Sequence, residues 1–146
     1  ARQTTFSGSG ATIVGEAVLE HVPDDVVAVG GLTMGADPIA VATAIAAYRY
    51  GRDLAAFSVR KEAKGHGMGG RIVGPIGPGD RVLVLEDTTS TGSALIEAID
   101  ALRSEGIAVA GAISLVDRSG GATSTRCRAV DVPYRAIVLP ADLGVG

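Results

Sequence analysis

The stretch Val82-Leu83-Val84-Leu85-Glu86-Asp87-Thr88-Thr89-Ser90-Thr91-Gly92-Ser93-Ala94-Leu95 limits the possible folds more tightly than any other part of the chain. Val82 to Leu85 is an unbroken apolar run, the pattern of a short strand buried on both faces of a parallel sheet. Leu95, Ile99 and Leu102 then recur at helical spacing, so a helix follows. Between strand and helix lie two adjacent carboxylates and a run of hydroxyl residues, Thr88 to Thr91, closed by Gly92. A loop that enters a helix N-terminus presents backbone N–H groups, and the helix dipole adds positive potential there. The hydroxyls supply further donors, so the loop reads as a phosphate cradle. Glu86 and Asp87, at the carboxyl end of the strand, can accept hydrogen bonds from sugar hydroxyls or lie near a metal. A cradle for an anion beside paired acids suits a ligand with a phosphate at one end and a diol next to it, the pattern of a ribose 5-phosphate. A nucleoside-triphosphate P-loop is excluded, because it ends in Gly-Lys-Ser/Thr and neither lysine of this chain follows a glycine.

The same strand–loop–helix logic appears earlier. Val26 to Val29 is an apolar run that predicts a buried strand ending in Gly30-Gly31. Thr33-Met34-Gly35-Ala36 follows as a loop, Asp37 reads as a helix cap, and Pro38 fits the first turn of a helix running to about Tyr50, where Gly51 ends it. Ahead of it, Ala11 to Val22 predicts a helix with Val14, Ala17, Val18 and Val22 on one face and Ser9 as its N-cap. Leu54 to Val59 reads as the next strand. Gly77-Pro78-Gly79-Asp80 is a turn leading into Val82. The helix beyond the cradle is expected to end near Ser104, with Gly106 as its stop. Ile107 to Val116 and Ala136 to Leu139 complete the strands. This alternation predicts a three-layer α/β domain with a mainly parallel sheet. Ligands of such sheets bind at the carboxyl edge of the strands, where Asp117-Arg118-Ser119-Gly120-Gly121 also falls. Arg118 there can pair with a carboxylate through two hydrogen bonds.

The segment after Val59 stands apart in composition. Both lysines of the chain, Lys61 and Lys64, fall beside Arg60, and His66 is close by, while His21 reads as structural or exposed. Gly65, Gly67, Gly69 and Gly70 interleave these cations. Cations on such a loop suit an anionic ligand that must be enclosed and released. Residues 62–71 are expected to be poorly ordered without that ligand. At 146 residues the chain is expected to form one domain. Its net charge of −3 argues against a general nucleic-acid surface. No apolar run is long enough to span a bilayer and no secretory signal is read, so a cytoplasmic protein that does not enter a membrane is expected. One cysteine, Cys127, excludes an internal disulfide and suits a reducing compartment.

The stretch from Val82 to Leu95 resembles the signature of type I phosphoribosyltransferases: an apolar strand, two acids, then a Thr/Ser-Gly-rich loop. Members of that family bind phosphoribosyl pyrophosphate (PRPP). The second stretch, Arg60-Lys61-Glu62-Ala63-Lys64-Gly65-His66-Gly67, narrows the resemblance to the orotate phosphoribosyltransferases. The resemblance implies the three-layer type I fold over residues 1–146, with a flexible loop over the active site. It implies transfer of 5-phosphoribosyl from PRPP to orotate in pyrimidine biosynthesis, with Mg²⁺ bound mainly through PRPP. Carried over by position, Arg60, Lys61, Lys64 and His66 match the loop residues that contact the pyrophosphate. Glu86, Asp87, Thr88, Thr89, Ser90, Thr91, Gly92, Ser93 and Ala94 match the ribose-phosphate site, and Ser90 and Arg118 match the orotate contacts. Lys64, Glu86 and Asp87 are the implied catalytic residues. A homodimer with shared active sites is also implied. A phosphoribosyltransferase acting on another base, or a non-catalytic PRPP-binding regulator, are the alternatives.

The chain departs from the family pattern in several places. The Thr33–Ala36 loop lacks the lysine many members carry there, so its pyrophosphate contacts must come from backbone N–H groups. Gly65 replaces an aspartate, and Ser90 stands where relatives usually have threonine. Phe6-Ser7-Gly8-Ser9-Gly10 mimics the family's Ser-Gly loop, but no Tyr-x-Asp follows, so the N-terminal part of the base-covering region is expected to be missing.

Overall fold

The computed structural model describes residues 5–62 and 70–138. In chain order these form helix α1 (Gly8–Leu19), strand β1 (Ala28–Leu32), helix α2 (Asp37–Arg49), strands β2 (Ala55–Val59), β3 (Ile72–Val73) and β4 (Arg81–Thr89), helix α3 (Ser93–Ser104), strand β5 (Ala108–Asp117), helix α4 (Ala122–Ala129) and strand β6 (Tyr134–Val138). The strands make one sheet in the order β3-β2-β1-β4-β5-β6. Every neighbouring pair is parallel except β2 and β3, where the short β3 runs back along the edge. The three-layer, mainly parallel α/β architecture read from the sequence is therefore present.

The reason for the unbroken apolar run in β4 is visible in the two cores. Val82 and Val84 join Leu95, Ile99 and Leu102 of α3 and Cys127 of α4 on one side of the sheet. Leu83 and Leu85 join Val18 of α1 and Ile39, Ala40 and Ala47 of α2 on the other. Successive strand residues point to opposite faces, so a strand covered on both sides must be apolar at every position.

Several element boundaries differ from the sequence reading, each for a local reason. Strand β1 does not end at the glycine pair but runs through it to Leu32. A Cβ on Gly30 would lie 2.1 Å from the Phe57 carbonyl oxygen, and one on Gly31 2.1 Å from that of Leu85, so the glycines let the flanking strands close in. Helix α1 starts at Gly8, and Ser7 rather than Ser9 is its cap, its hydroxyl accepting from the Gly10 N–H at 3.0 Å. Asp37 is the first residue of α2 rather than its cap, and accepts instead from the Thr33 hydroxyl at 2.6 Å. Strand β4 continues through Glu86, Asp87, Thr88 and Thr89 because β5 keeps offering a partner, with Glu86 opposite Ser114 and Thr89 opposite Asp117. Only Ser90, Thr91 and Gly92 remain as loop between β4 and α3. Helix α3 ends as expected: Gly106 is left-handed, and Ile107 N–H donates back to the Leu102 carbonyl.

Strand β3 and helix α4 had no counterpart in the sequence reading. The first pins the stem of the basic segment. The Arg60 N–H donates to the Arg71 carbonyl at 2.6 Å, and Arg71 Nε returns a bond to the Arg60 carbonyl at 2.9 Å. Arg71 also pairs with Glu97 of α3 at 2.7 Å, so the chain leaves and rejoins the sheet at one place. Among the described residues no helix is long and apolar enough to cross a membrane.

Candidate functional site

The five parallel strands all end at one edge of the sheet, so the loops after β1, β2, β4 and β5 converge there. That is the edge at which open α/β sheets bind ligands. A cleft of about 540 Å³ lined by Gly77, Pro78, Ser104 and Ile107 lies instead by the turns that precede β4 and β5, and no set of titratable groups converges in it.

The cradle after β4 is shaped by one buried hydroxyl and one left-handed glycine. Thr89 is only 3% exposed. Its Oγ1 accepts from the Gly92 N–H at 3.0 Å and contacts the Thr123 hydroxyl of α4 at 3.1 Å. Gly92 has φ 85°, which turns the chain into α3, and a Cβ there would lie 3.1 Å from Thr123. Thr91 Oγ1 accepts from the Ser93 N–H at 3.2 Å and donates to Ser93 Oγ at 2.9 Å. The first α3 donor to find a helical carbonyl is the Ile96 N–H, on Gly92 at 3.1 Å. The N–H groups of Ala94 and Leu95 therefore face the loop unsatisfied by the helix. Those of Ser90 and Thr91 meet no acceptor among the described residues. Four main-chain donors and the dipole of α3 thus surround one small space, as anion binding requires.

The acids lie beside this space. Alternation along β4 turns Glu86 and Asp87 to opposite faces of the sheet. Asp87 is 7% exposed, and its Oδ1 accepts from the Thr88 N–H at 2.7 Å. The loop after β1 presses on it: a Cβ on Gly35 would come within 2.7 Å of Asp87 Oδ1. In that loop, which holds a cis Thr33–Met34 peptide, the Thr33, Ala36 and Asp37 N–H groups are taken by the carbonyls of Val59, Leu32 and Met34. Those of Met34 and Gly35 meet no acceptor among the described residues, leaving two donors close to Asp87. As carboxylate oxygens, Glu86 and Asp87 are donors of the kind a hard divalent ion takes. Among the described residues no three acids, histidines or cysteines converge.

On the β5 side, Arg118 is exposed and its N–H donates to the Thr89 carbonyl at 2.9 Å, tying this loop to the cradle. Next to it, Asp117 accepts from the Ser119 N–H (2.7 Å) and hydroxyl (2.6 Å) and from the Tyr134 hydroxyl (2.8 Å). Burial alone would raise the Asp117 pKa, but these hydrogen bonds outweigh it and hold the carboxyl below its ordinary value. The Ser119 hydroxyl also accepts from the Thr123 N–H at 3.0 Å, so part-buried hydrogen bonds run from Tyr134 through Asp117, Ser119 and Thr123 to the buried Thr89 and the cradle.

Tyr134 and Cys127 both have raised pKa values, chiefly from burial, with the negative charge of Asp117 adding to it. A raised pKa means that the unfolded chain loses these protons first. Stability is then intact below the ordinary values of 9.0 for the thiol and 10.0 for the phenol, and declines as pH rises past them towards the folded-state values. Denaturant midpoints measured from pH 8 to pH 11 should fall progressively, and less steeply in Tyr134→Phe. Equal slopes in the two proteins would show that Tyr134 does not titrate differently on folding. Asp117 works in the opposite window: its contribution is present above 3.8 and lost as pH falls through its lower folded-state value.

Of the residues singled out in the sequence, Glu86 to Ala94 and Arg118 are brought together at this edge. Arg60 is half-buried at the stem, its guanidinium donating to the Gly70 carbonyl at 3.4 Å, and Lys61 is exposed beside it. Lys64 and His66 lie outside the described residues, as does most of the segment expected to be poorly ordered. Sequence reasoning missed Arg126. From α4 its Nη1 donates to the Thr91 carbonyl at 3.1 Å and to Ser93 Oγ at 2.7 Å. In the sequence it was visible only as a neighbour of Cys127.

Residues 11–142 match the phosphoribosyl transferase domain family. The chain is 46% identical over 145 residues to an orotate phosphoribosyltransferase of Streptomyces avermitilis, covering 99% of this chain and 80% of that protein. It is 48% identical to one of Corynebacterium glutamicum, covering 99% and 77%. Among solved structures, orotate phosphoribosyltransferase of Mycobacterium tuberculosis in complex with PRPP superposes with a TM-score of 0.85 at 38% identity, covering 98% of this chain and 81% of that one. With a family match that spans nearly all of the described sheet and helices, and relatives of this identity covered over more than three quarters of their length, the chain belongs to the phosphoribosyltransferase family, alongside its orotate phosphoribosyltransferases.

Proposed function

We propose that this protein is a pentosyltransferase that moves the 5-phosphoribosyl group of PRPP to orotate, giving orotidine 5′-monophosphate and pyrophosphate. The observation that carries the reading is the donor cradle of residues 90–95 set against Glu86 and Asp87 at the end of β4. A 5′-phosphate suits the cradle, and ribose hydroxyls suit the carboxylates beside it. The kinship with orotate phosphoribosyltransferases supplies the acceptor.

The chemistry follows from where charge builds. The anomeric carbon becomes positive as the bond to pyrophosphate lengthens, and the departing pyrophosphate becomes more negative. Glu86 and Asp87 hold the ribose hydroxyls and stabilise the cationic sugar. The Met34 and Gly35 N–H groups, with Arg60, Lys61, Lys64 and His66, hold the leaving group. Thr88 to Ala94 anchor the phosphate, and Ser90 and Arg118 hold orotate by its carboxylate and ring. Mg²⁺ bound mainly through PRPP, with Glu86 or Asp87 as its protein neighbours, would neutralise charge on the pyrophosphate. The domain formed by these residues is read as one catalytic unit.

Incubation with PRPP, Mg²⁺ and a panel of bases tests this, following pyrophosphate release. Release with orotate is expected. Release with a purine only would make it a different phosphoribosyltransferase, and PRPP binding without release would make it a regulator. Arg118→Ala should raise KM for orotate by about tenfold or more, the size of a lost charge-assisted hydrogen bond, with KM for PRPP little changed. Equal changes in both would move Arg118 away from the base.

A homodimer with shared sites completes the proposal. It is supported by an apolar stripe on α2, where Val41, Ile45 and Tyr48 are 52%, 55% and 73% exposed, next to exposed Ile13 of α1. If Lys64 serves the partner's site, inactive Lys64→Ala and Asp87→Ala proteins should regain about a quarter of wild-type activity on mixing. Random exchange makes half the dimers hybrids, each with one intact site. No recovery, with exchange confirmed by mass spectrometry, would mean that each loop serves its own subunit.

A further inference from the structure

Arg126 approaches the cradle from outside the β4–α3 unit. Its stem lies over Gly92, where a Cβ would come 3.4 Å from the arginine Cδ. Its Nη1 bonds to the Thr91 carbonyl and to Ser93 Oγ hold the guanidinium across the mouth of the loop. Ser93 Oγ therefore receives two donors, one from Arg126 at 2.7 Å and one from the Thr91 hydroxyl at 2.9 Å. A serine hydroxyl has two acceptor lone pairs and one proton. With both lone pairs taken, the Ser93 proton is left to donate, and no acceptor for it occurs among the described residues. Arg126 has three further N–H donors on Nε and Nη2, and no carboxylate pairs with it among the described residues. Arginine, hydroxyl and main-chain donors thus gather at the β4–α3 loop.

We propose that Arg126 is a binding residue for the 5′-phosphate of the phosphoribosyl group, closing the cradle from the α4 side. This rests on the reading above that the cradle takes a phosphoribosyl ligand. The guanidinium fork donates to phosphate oxygens through Nε or Nη2, while Nη1 keeps Ser93 oriented so that its hydroxyl donates to the same phosphate. The 5′-phosphate is present in PRPP and in orotidine 5′-monophosphate but absent from orotate and pyrophosphate. Arg126 therefore discriminates within the reaction's own four compounds.

The test compares wild type with Arg126→Ala and Arg126→Lys, all checked for unchanged melting. KM is measured for PRPP and orotate in the forward direction and for orotidine 5′-monophosphate and pyrophosphate in reverse. The Kd of ribose 5-phosphate is measured by calorimetry. Arg126→Ala should raise both phosphoribosyl KM values and the ribose 5-phosphate Kd by about ten- to hundredfold, leaving the orotate and pyrophosphate KM values within about twofold. Arg126→Lys should recover part of the loss, since it restores charge without the fork. An unchanged ribose 5-phosphate Kd overturns the proposal. So does a uniform loss with all four substrates, which would make Arg126 a brace between α4 and the loop. A wild type that binds ribose 5-phosphate through Arg126 but does not turn over orotate overturns the proposed reaction and leaves the phosphate site standing.

Discussion

Asp87→Asn should lower kcat/KM by about ten- to hundredfold with little change in melting temperature. The side chain is nearly isosteric, and the amide oxygen can still accept the Thr88 N–H that Asp87 Oδ1 holds at 2.7 Å. Under the proposed reaction, what is lost is the negative charge beside the cationic sugar and one strong acceptor for a ribose hydroxyl. A hydrogen bond to a charged group contributes about 1.5–3 kcal/mol, and that difference would appear in the transition state. The burial of Asp87 sharpens the expectation, since a charge at 7% exposure is poorly screened by water. Steady-state kinetics with PRPP and orotate check it. Wild-type kcat/KM in a well-folded Asp87→Asn protein would remove Asp87 from the ribose site. A large drop in melting temperature would instead mark it as a structural carboxylate.

The fold was legible where periodicity and burial agree. Strand β4 and helix α3 are both covered on a full face, so Val82 to Leu85 and Leu95, Ile99 and Leu102 carried clear signals. Helix α4 was not, because only Thr123 and Cys127 of its residues are buried and neither is a strongly apolar marker. Strand β3 was too short, at two residues, to show any alternation. The cap of α1 was misplaced because Ser7 and Ser9 are equivalent in sequence, and only the bond from Gly10 N–H to Ser7 Oγ separates them. The site followed the same division. The residues of the cradle were adjacent in the chain and could be read as a unit. Arg126 arrives from 33 positions beyond Ser93, and nothing in the sequence links the two. The depth of Thr89 was hidden too: it stands in a run of hydroxyls, yet its side chain points inward and shapes the loop.

Gly31→Ala should be among the most damaging small substitutions in the sheet, costing about 3 kcal/mol or more. The added carbon would lie 2.1 Å from the Leu85 carbonyl oxygen and 2.9 Å from the Ala36 Cβ. Its closest neighbour is backbone of the central strand, which cannot rotate aside as a side chain can. Strand β1 would have to move away from β4 beside the core cluster that holds Leu85 and Ala36. For a chain of this length a loss of that size lowers the melting temperature by about 6–12 °C. Activity should fall as well, because the same displacement carries the loop after β1, with Gly35, off Asp87. Gly77→Ala is the matched control, since a Cβ there meets nothing within 4 Å. It should leave melting within about 2 °C, or raise it slightly through the smaller entropy of the unfolded chain. Thermal melts of the two variants beside wild type decide the matter. If Gly31→Ala melts like Gly77→Ala, the close approach of β1 to β4 is not what requires glycine at that position.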